Sequence, residues 1–372
     1  MIVRILFWLL ALASPSVAAV DLGEYRTLTY GAPTHYCDLT LSIASPSGSG
    51  TLGDPWNATR CMSQPVAGNV VGILPVGAGT PVDLAAPGSA NTPSFTPANS
   101  GTLSGSTCTS NIVYVTKYAA VALDYSTITT NQNRSEIRNA GTDDAADVVG
   151  TGGPVYGVHT KDCVIFDGFF VDMAQIGFRN DSGIIRAQDS TGTQFRNFVI
   201  KGKTVDCDSN CILYRPQNAL NTVLSNFIVK DFINAPTVTG IGDDLNQLGY
   251  FSDQYGDRNV TIEHFEISNT GGGIFLKGTA SGPVFNYGTI QYGIIHNNYN
   301  CLRFNDLHNT ELTTVRNVLC YDIYTDSSSP GMASGEAIAF DSITTAGRNI
   351  TIDHVTVAKV QTSDINVQGG LI

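Results

Sequence analysis

The chain has 372 residues, of which 42% are hydrophobic and 14% charged, and its 20 basic residues face 32 acidic ones for a formal net charge of −12. That balance argues against nucleic acid or an anionic membrane as partner, because both need a basic footprint. It leaves room for an anionic glycan, which a local cationic patch can hold on an acidic molecule.

Residues 1–19 read as a signal peptide, with Arg4 as the positive n-region and an apolar run from Ile5 to Ala13. Ser16-Val17-Ala18 or Val17-Ala18-Ala19 supplies a small-residue cleavage site. The apolar run is too short to span a bilayer, and no later segment approaches the required length. The mature chain is therefore expected to be secreted, extracellular or periplasmic, a monomer without a membrane span. The 8 cysteines of an exported chain predict disulfides rather than a metal site. Cys207 and Cys211, spaced C-x-x-x-C among Asp, Ser and Asn, are placed to close a small loop.

Along residues 20–120 a Gly/Ser turn leads to Pro55-Trp56, a short capping helix and a strand over Val70–Leu74. This stretch reads as an N-terminal cap with the first coils. From about residue 160 to 372 the chain repeats. One half of the unit is apolar, any residue, then Asp, Asn, His or Tyr, followed by a short alternating apolar run. The marked positions are Asp167, Asn197, Asn226, His264, Tyr292, Asn317 and His354, at spacings of 30, 29, 38, 28, 25 and 37. The two long intervals hold loop-like insertions at 234–248 and 325–335. The other half is a second short strand, seen at Ile212-Leu213-Tyr214, Ile274-Phe275-Leu276, Leu302-Arg303-Phe304, Ile338-Ala339-Phe340 and Ile365-Asn366-Val367.

No segment sustains a 3.6-residue apolar period, so long helices are excluded. Short strands and turns at a period near 28 predict an all-β fold, a single-stranded parallel β-helix over residues 20–372. The Asn/Asp/His column suits stacked turns, because a side-chain amide can bond its counterpart on the next coil. The sequence stops in mid-coil at Gln368-Gly369-Gly370-Leu371-Ile372 with no capping segment, as a truncated chain would.

The Gly/Ser turn, Pro-Trp, Ala/Gly turn and Val-rich strand, followed by these repeats, resemble the pectin-lyase-like, right-handed parallel β-helix superfamily of secreted polysaccharide-active proteins. The resemblance covers most of the chain at the level of architecture. It implies a pectin-lyase-like solenoid acting on a glycan, but not which activity, since that fold hosts lyases, hydrolases, epimerases and adhesins.

Side chains alternate across a strand. With Ile274 and Leu276 inward, Phe275 and Lys277 face out. Aligning the strands by their inward pairs sets Leu213/Arg215, Phe251/Asp253, Phe275/Lys277, Arg303/Asn305 and Ala339/Asp341 on one outer strip. Coils ~4.8 Å apart and residues two apart along a strand at ~6.8 Å put the Lys277 and Arg303 Cα atoms roughly 8 Å apart. That spacing suits β-elimination on a uronic-acid polymer. Arg303 is placed to neutralise the carboxylate bidentately, and Lys277, its proton affinity lowered by a nearby cation, to take the C5 proton. Phe251, Phe275 or Tyr255 offers an apolar face for the sugar.

"GGIFLKG" followed by "NCLRFND" is loosely similar to the alginate and chondroitin lyase β-helices, which use a lysine at a strand end and an arginine on the following coil. That family sets acidic calcium ligands just before the lysine, whereas Thr270 to Gly273 contain none. Its arginine lies nearer the strand end, where this chain has Asn305. No cofactor is required on this reading, although Asp243 and Asp244 are candidate calcium ligands.

Two competing accounts use the same residues. Asp253, one coil before Lys277 in the same column, would form a plain inter-coil ion pair of the order of 0–1 kcal/mol. Asp243, Asp244 and Asp253 would alternatively supply the carboxylate pair of a glycoside hydrolase. A non-catalytic glycan-binding or adhesive β-helix is the third reading. His264 and His354 share the turn column and read as ladder residues, and Lys201 and Lys230 as solvated strand-edge residues.

Overall fold

The computed structural model describes residues 30–41, 47–74, 82–84, 95–116, 137–139, 156–172, 185–201, 214–231, 247–252, 259–270, 272–277, 288–298, 300–305, 313–324, 336–341, 350–360 and 363–367. Among them the strands dominate, with a short helix at Ala58–Ser63. Asn57 caps that helix, its side chain accepting from the Arg60 backbone N–H at 3.1 Å.

The largest element is an 11-stranded sheet. Its path runs through His35–Cys37, Val70–Ile73, Ile112–Thr116, Val164–Asp167, Gln194–Lys201, Val223–Lys230, Thr261–Ser268, Thr289–Asn298, Thr313–Ile323 and Ile350–Val360, and the eleventh strand, Phe170–Asp172, pairs with Gln194–Lys201 off this path. Every neighbouring pair on the path is parallel. A second series of strands forms two further parallel sheets. Tyr156–His159, Ile185–Thr191 and Tyr214–Leu220 make a three-stranded one. Gln247–Ser252, Gly272–Lys277, Leu302–Asn305, Glu336–Asp341 and Ser363–Val367 make a five-stranded one.

From Tyr156 onward the two series alternate along the chain, one strand of each per repeat, and Tyr214–Leu220 lies against Gln247–Ser252. The architecture is an all-β, parallel, solenoid-like stack. Parallel strands need a crossover between them, and here the other strand of the repeat provides it.

The repeat is held at its corners. Asn197, Asn226, His264, Tyr292, Asn317 and His354 all have φ of 51 to 56°. Non-glycine residues rarely adopt this left-handed conformation, and Asn, Asp and His adopt it most readily. The ladder expected from the sequence is present: the Asn226 amide donates to Asn197 Oδ1 at 2.6 Å and the Asn197 amide to Asp167 Oδ1 at 2.8 Å. His264 and Tyr292 continue the column by stacking, with ring centroids 5.0 Å apart. At Asp167 the sequence alignment is one residue early. Asp167 pairs with Arg196, and Gly168, at φ 82°, turns the corner. Further amide bonds join two other corners, Asn218 to Asp189 at 2.9 Å and Asn259 to Asn221 at 3.1 Å.

With the corners in register, like residues fall on like residues in the core. Phe169, Phe198, Phe227 and Phe265 stack at centroid distances of 4.8, 4.7 and 5.5 Å. Tyr114, Phe166 and Phe195 form a parallel column at 5.7 and 5.4 Å. All seven rings are buried. The Phe column ends at Gly293, the register partner of Phe265, because that ring occupies the space above it. A Cβ at Gly293 would lie 2.0 Å from the ring.

Among the described residues three disulfides tie the stack: Cys37–Cys61, Cys108–Cys163 and Cys301–Cys320. The first links His35–Cys37 to the helix, and the last joins the bend just before Leu302–Asn305 to the strand Thr313–Ile323. Cys207 and Cys211 lie outside the described residues, as does the leader segment 1–19. Among the described residues no helix is long and apolar enough to cross a membrane.

Replacing Gly293 by alanine forces a methyl into the Phe265 ring. Overpacking of this kind destabilises by about 1–3 kcal/mol, and urea unfolding should show the midpoint fall while Gly288→Ala, where a Cβ meets nothing closer than 3.5 Å, leaves it nearly unchanged.

Candidate functional site

The segment Gly272–Lys277 shows how the fold presents a side chain. Asn298 and Asn300, 0% and 2% exposed, fix its approach: the Thr270 N–H donates to Asn298 Oδ1 at 2.9 Å and the Gly273 N–H to the Asn300 carbonyl at 3.1 Å. Glycine is required at 273, since a Cβ would lie 2.1 Å from the Cys301 carbonyl oxygen. The backbone of one coil thus sits directly on the next. Ile274 and Leu276 then enter the core, as do Leu302 and Phe304 on the following strand.

The outer face carries the alternate residues. Phe275 is paired with Arg303, and Lys277 with Asn305. One coil further, Arg303 is paired with Ala339 and Asn305 with Asp341. These are the pairings the sequence alignment expects, and they set Lys277 diagonal to Arg303. The half-buried Arg303 guanidinium lies over the Phe275 ring, 5.1 Å from its centroid, a cation–π arrangement that orients the cation.

Other placements differ from the sequence reading. Phe275 is 0% exposed, so it is a buried support under Arg303 rather than an open face for a sugar. Phe251 is the register partner of Leu276, a core-facing position, and Ser252 is the partner of Lys277. The register shifts between Gln247 and Phe251, and the extra residues displace the alignment by one. Asp253 is therefore not the residue that stands opposite Lys277, and the inter-coil ion pair built on that alignment loses its geometric basis. Asp253 itself, Tyr255, Asp243 and Asp244 lie outside the described residues. Arg215 belongs to the three-stranded sheet, where its register partner is Arg186.

A second cluster, on the outer face of the 11-stranded sheet, escaped the sequence reading. Lys230, Ser268, His296 and Tyr321 occupy one register row on four consecutive strands. Glu266 stands diagonal to both Lys230 and His296. Its carboxylate meets Lys230 Nζ at 2.9 Å and His296 Nε2 at 3.3 Å, while the His296 ring stacks on Tyr321 at 4.6 Å. Lys230 is thus a paired residue rather than a solvated edge. Hydrogen bonds from His296 and Lys230 outweigh burial and hold the Glu266 carboxyl down to about 2. Burial and the nearby carboxylates Glu266 and Asp322 push the Tyr321 phenol up. A carboxylate that keeps its charge so firmly is a poor proton donor at neutral pH. The cluster ties four coils together, and the chain Arg316 to Gln291 to Glu263, with both bonds at 2.8 Å, ties three of them elsewhere on the same strands.

Among the described residues no group of three or more His, Cys, Asp or Glu side chains is gathered as a metal ion requires. The sequence matches no protein-family model and no curated protein.

The Glu266 contacts carry a pH signature. A carboxyl held below its ordinary value contributes stability that is complete above the usual 4.5 and lost as pH falls toward about 2. Linkage alone corresponds to about 3 kcal/mol, and solvent screening at this half-open site reduces it to the order of 1–2 kcal/mol. Glu266→Gln should therefore lower the urea midpoint at pH 7, with the gap from the parent protein closing as unfolding is repeated toward about pH 2.

Proposed function

We propose that the chain is an exported, right-handed, single-stranded parallel β-helix that cleaves a uronic-acid-containing polysaccharide by β-elimination. The observation that carries this reading is the register on the outer face of Gly272–Lys277 and Leu302–Asn305, which puts a lysine one coil before an oriented arginine. The disulfides support export, because such bonds persist in oxidising compartments.

In the reaction Arg303 holds the uronate carboxylate and offsets the charge that develops on it when the C5–H bond breaks. The neutral Lys277 amine takes that proton. The C–H electron pair becomes the C4=C5 double bond, the C4–O glycosidic bond breaks, and the departing oxygen takes a proton from water. Asn305, the register partner of Lys277, bonds sugar hydroxyls beside the breaking bond. The loss of the Asp253 alignment favours this reading over a plain ion pair, since Ser252 brings no charge to the Lys277 column.

Incubation with alginate, pectate and chondroitin should release products that absorb in the ultraviolet through the new double bond. Lys277→Ala and Arg303→Ala should each lower that rate by about 10²-fold or more while the thermal midpoint stays near that of the parent. Reducing ends without unsaturation, or full activity in Lys277→Ala, would overturn the assignment.

A further inference from the structure

The outer face of the 11-stranded sheet steps down between Thr313–Ile323 and Ile350–Val360. On the first of these strands that face carries Leu319 and Tyr321, both half-buried. Their register partners on the second are Thr356 and Ala358, both small and exposed. On the preceding coil Ile294 and His296 stand opposite the same two residues, and the His296 ring covers one face of Tyr321 at 4.6 Å with 4° between the planes. The side chain of Ala358 ends at its Cβ and brings no ring to the other face. Among the described residues no second ring stacks on Tyr321.

An aromatic ring fixed from behind and open in front is a platform for a flat ligand with an apolar side. Neighbouring strands lie about 4.8 Å apart, so the layer that His296 fills on one side of Tyr321 is left over Ala358 on the other. Leu319 extends the apolar wall, and Thr356 adds a hydroxyl at its foot. The corner just beyond supplies charge. Asp322 and Lys359, each with φ of 52°, pair at 3.2 Å with side chains 37% and 74% exposed. The Asp322 carboxylate helps push the Tyr321 phenol up, so it borders the ring. An exposed pair of this kind is weakly held, and its free donors and acceptors remain open to hydroxyl groups. An apolar wall with a few polar groups at its rim is the usual make-up of a small-molecule site. A sugar ring, with C–H groups on its face and hydroxyls around its edge, has the matching chemistry.

We propose that Leu319, Tyr321, Thr356 and Ala358 form a sugar-stacking subsite, in which a pyranose unit lies on the open face of Tyr321 and its hydroxyls bond Asp322 and Lys359. The proposal rests on the glycan part of the reading above and not on its elimination chemistry. The subsite belongs to a different sheet from Lys277 and Arg303. It therefore holds the polymer and takes no part at the bond that breaks.

The test measures binding of pectate and alginate oligosaccharides by calorimetry in concentrated salt, which weakens charge contacts such as those of Lys277 and Arg303 and leaves stacking in place. Ala358→Ile fills the layer over Tyr321 with a branched side chain that suits a strand position. Tyr321→Phe keeps the platform and removes only the phenol oxygen. Ala358→Ile should weaken binding about tenfold or more, Tyr321→Phe should stay within about twofold of the parent, and both thermal midpoints should stay near the parent's. Unchanged affinity in Ala358→Ile, or no binding by the parent in concentrated salt, would overturn the subsite. A loss in Tyr321→Phe as large as that in Ala358→Ile would overturn stacking as its basis. If Ala358→Ile loses binding and no protein yields an unsaturated product, the subsite stands and the elimination reading fails. If the parent yields that product and Ala358→Ile leaves affinity and KM unchanged, the subsite fails and the elimination reading stands.

Discussion

Parallel strands stack in register only if every coil leaves the sheet at the same residue, and here a left-handed backbone position enforces that. For a non-glycine residue the conformation costs about 1–2 kcal/mol, and it recurs at Asn197, Asn226, His264, Tyr292, Asn317 and His354. Each coil offsets the cost through contacts with its neighbour. The amides of Asn226 and Asn197 donate to the coil before, and His264 and Tyr292 stack where no amide is available. The corner therefore depends on the stack as much as the stack depends on the corner. Once corners align, the Phe169–Phe198–Phe227–Phe265 column follows, because residues at equal distance from equal corners must lie above one another.

That reciprocity explains what the sequence shows and what it hides. The column of Asn, His and Tyr is legible because the corner restricts residue type, and the strands beside it are legible because the core restricts polarity. Slips of one residue are not. Gly168 turns its corner beside an Asp167 that resembles the other column members. Between Gln247 and Phe251 the extra residues are as compatible with a strand as those they displace. A one-residue change of register moves a side chain to the other face, so Phe251 passes from the outer strip to a core-facing position and Asp253 leaves the Lys277 column.

Side-chain clusters made across coils are harder still to read. Lys230, Glu266, His296 and Tyr321 come from four different repeats, and each alone looks like an ordinary polar residue on a strand. Only the diagonal relation between coils reveals that Glu266 faces both a lysine and a histidine. The same holds for Arg186, which sits in a strand whose sequence, IRAQDST, carries no strong β signal. Its register partner on the next coil is Arg215. The sequence does disclose the Lys277 and Arg303 relation, because the apolar pairs Ile274/Leu276 and Leu302/Phe304 align without a bulge.

The geometry of these rows also bears on the kind of molecule they meet. A small ligand is recognised by groups converging on one concavity. The strands here instead bring polar residues to successive register positions, one step of about 4.8 Å at a time, as Lys277, Asn305 and Asp341 do. A repeating polymer matches such a surface better than a compact ligand does. Charge narrows the choice further. On a chain of net charge −12 an anionic polymer is repelled by most of the surface and attracted where arginine and lysine are concentrated. On the proposed reading, the acidic whole sharpens the cationic row and confines an acidic glycan to the strip on which Arg303 is held over Phe275.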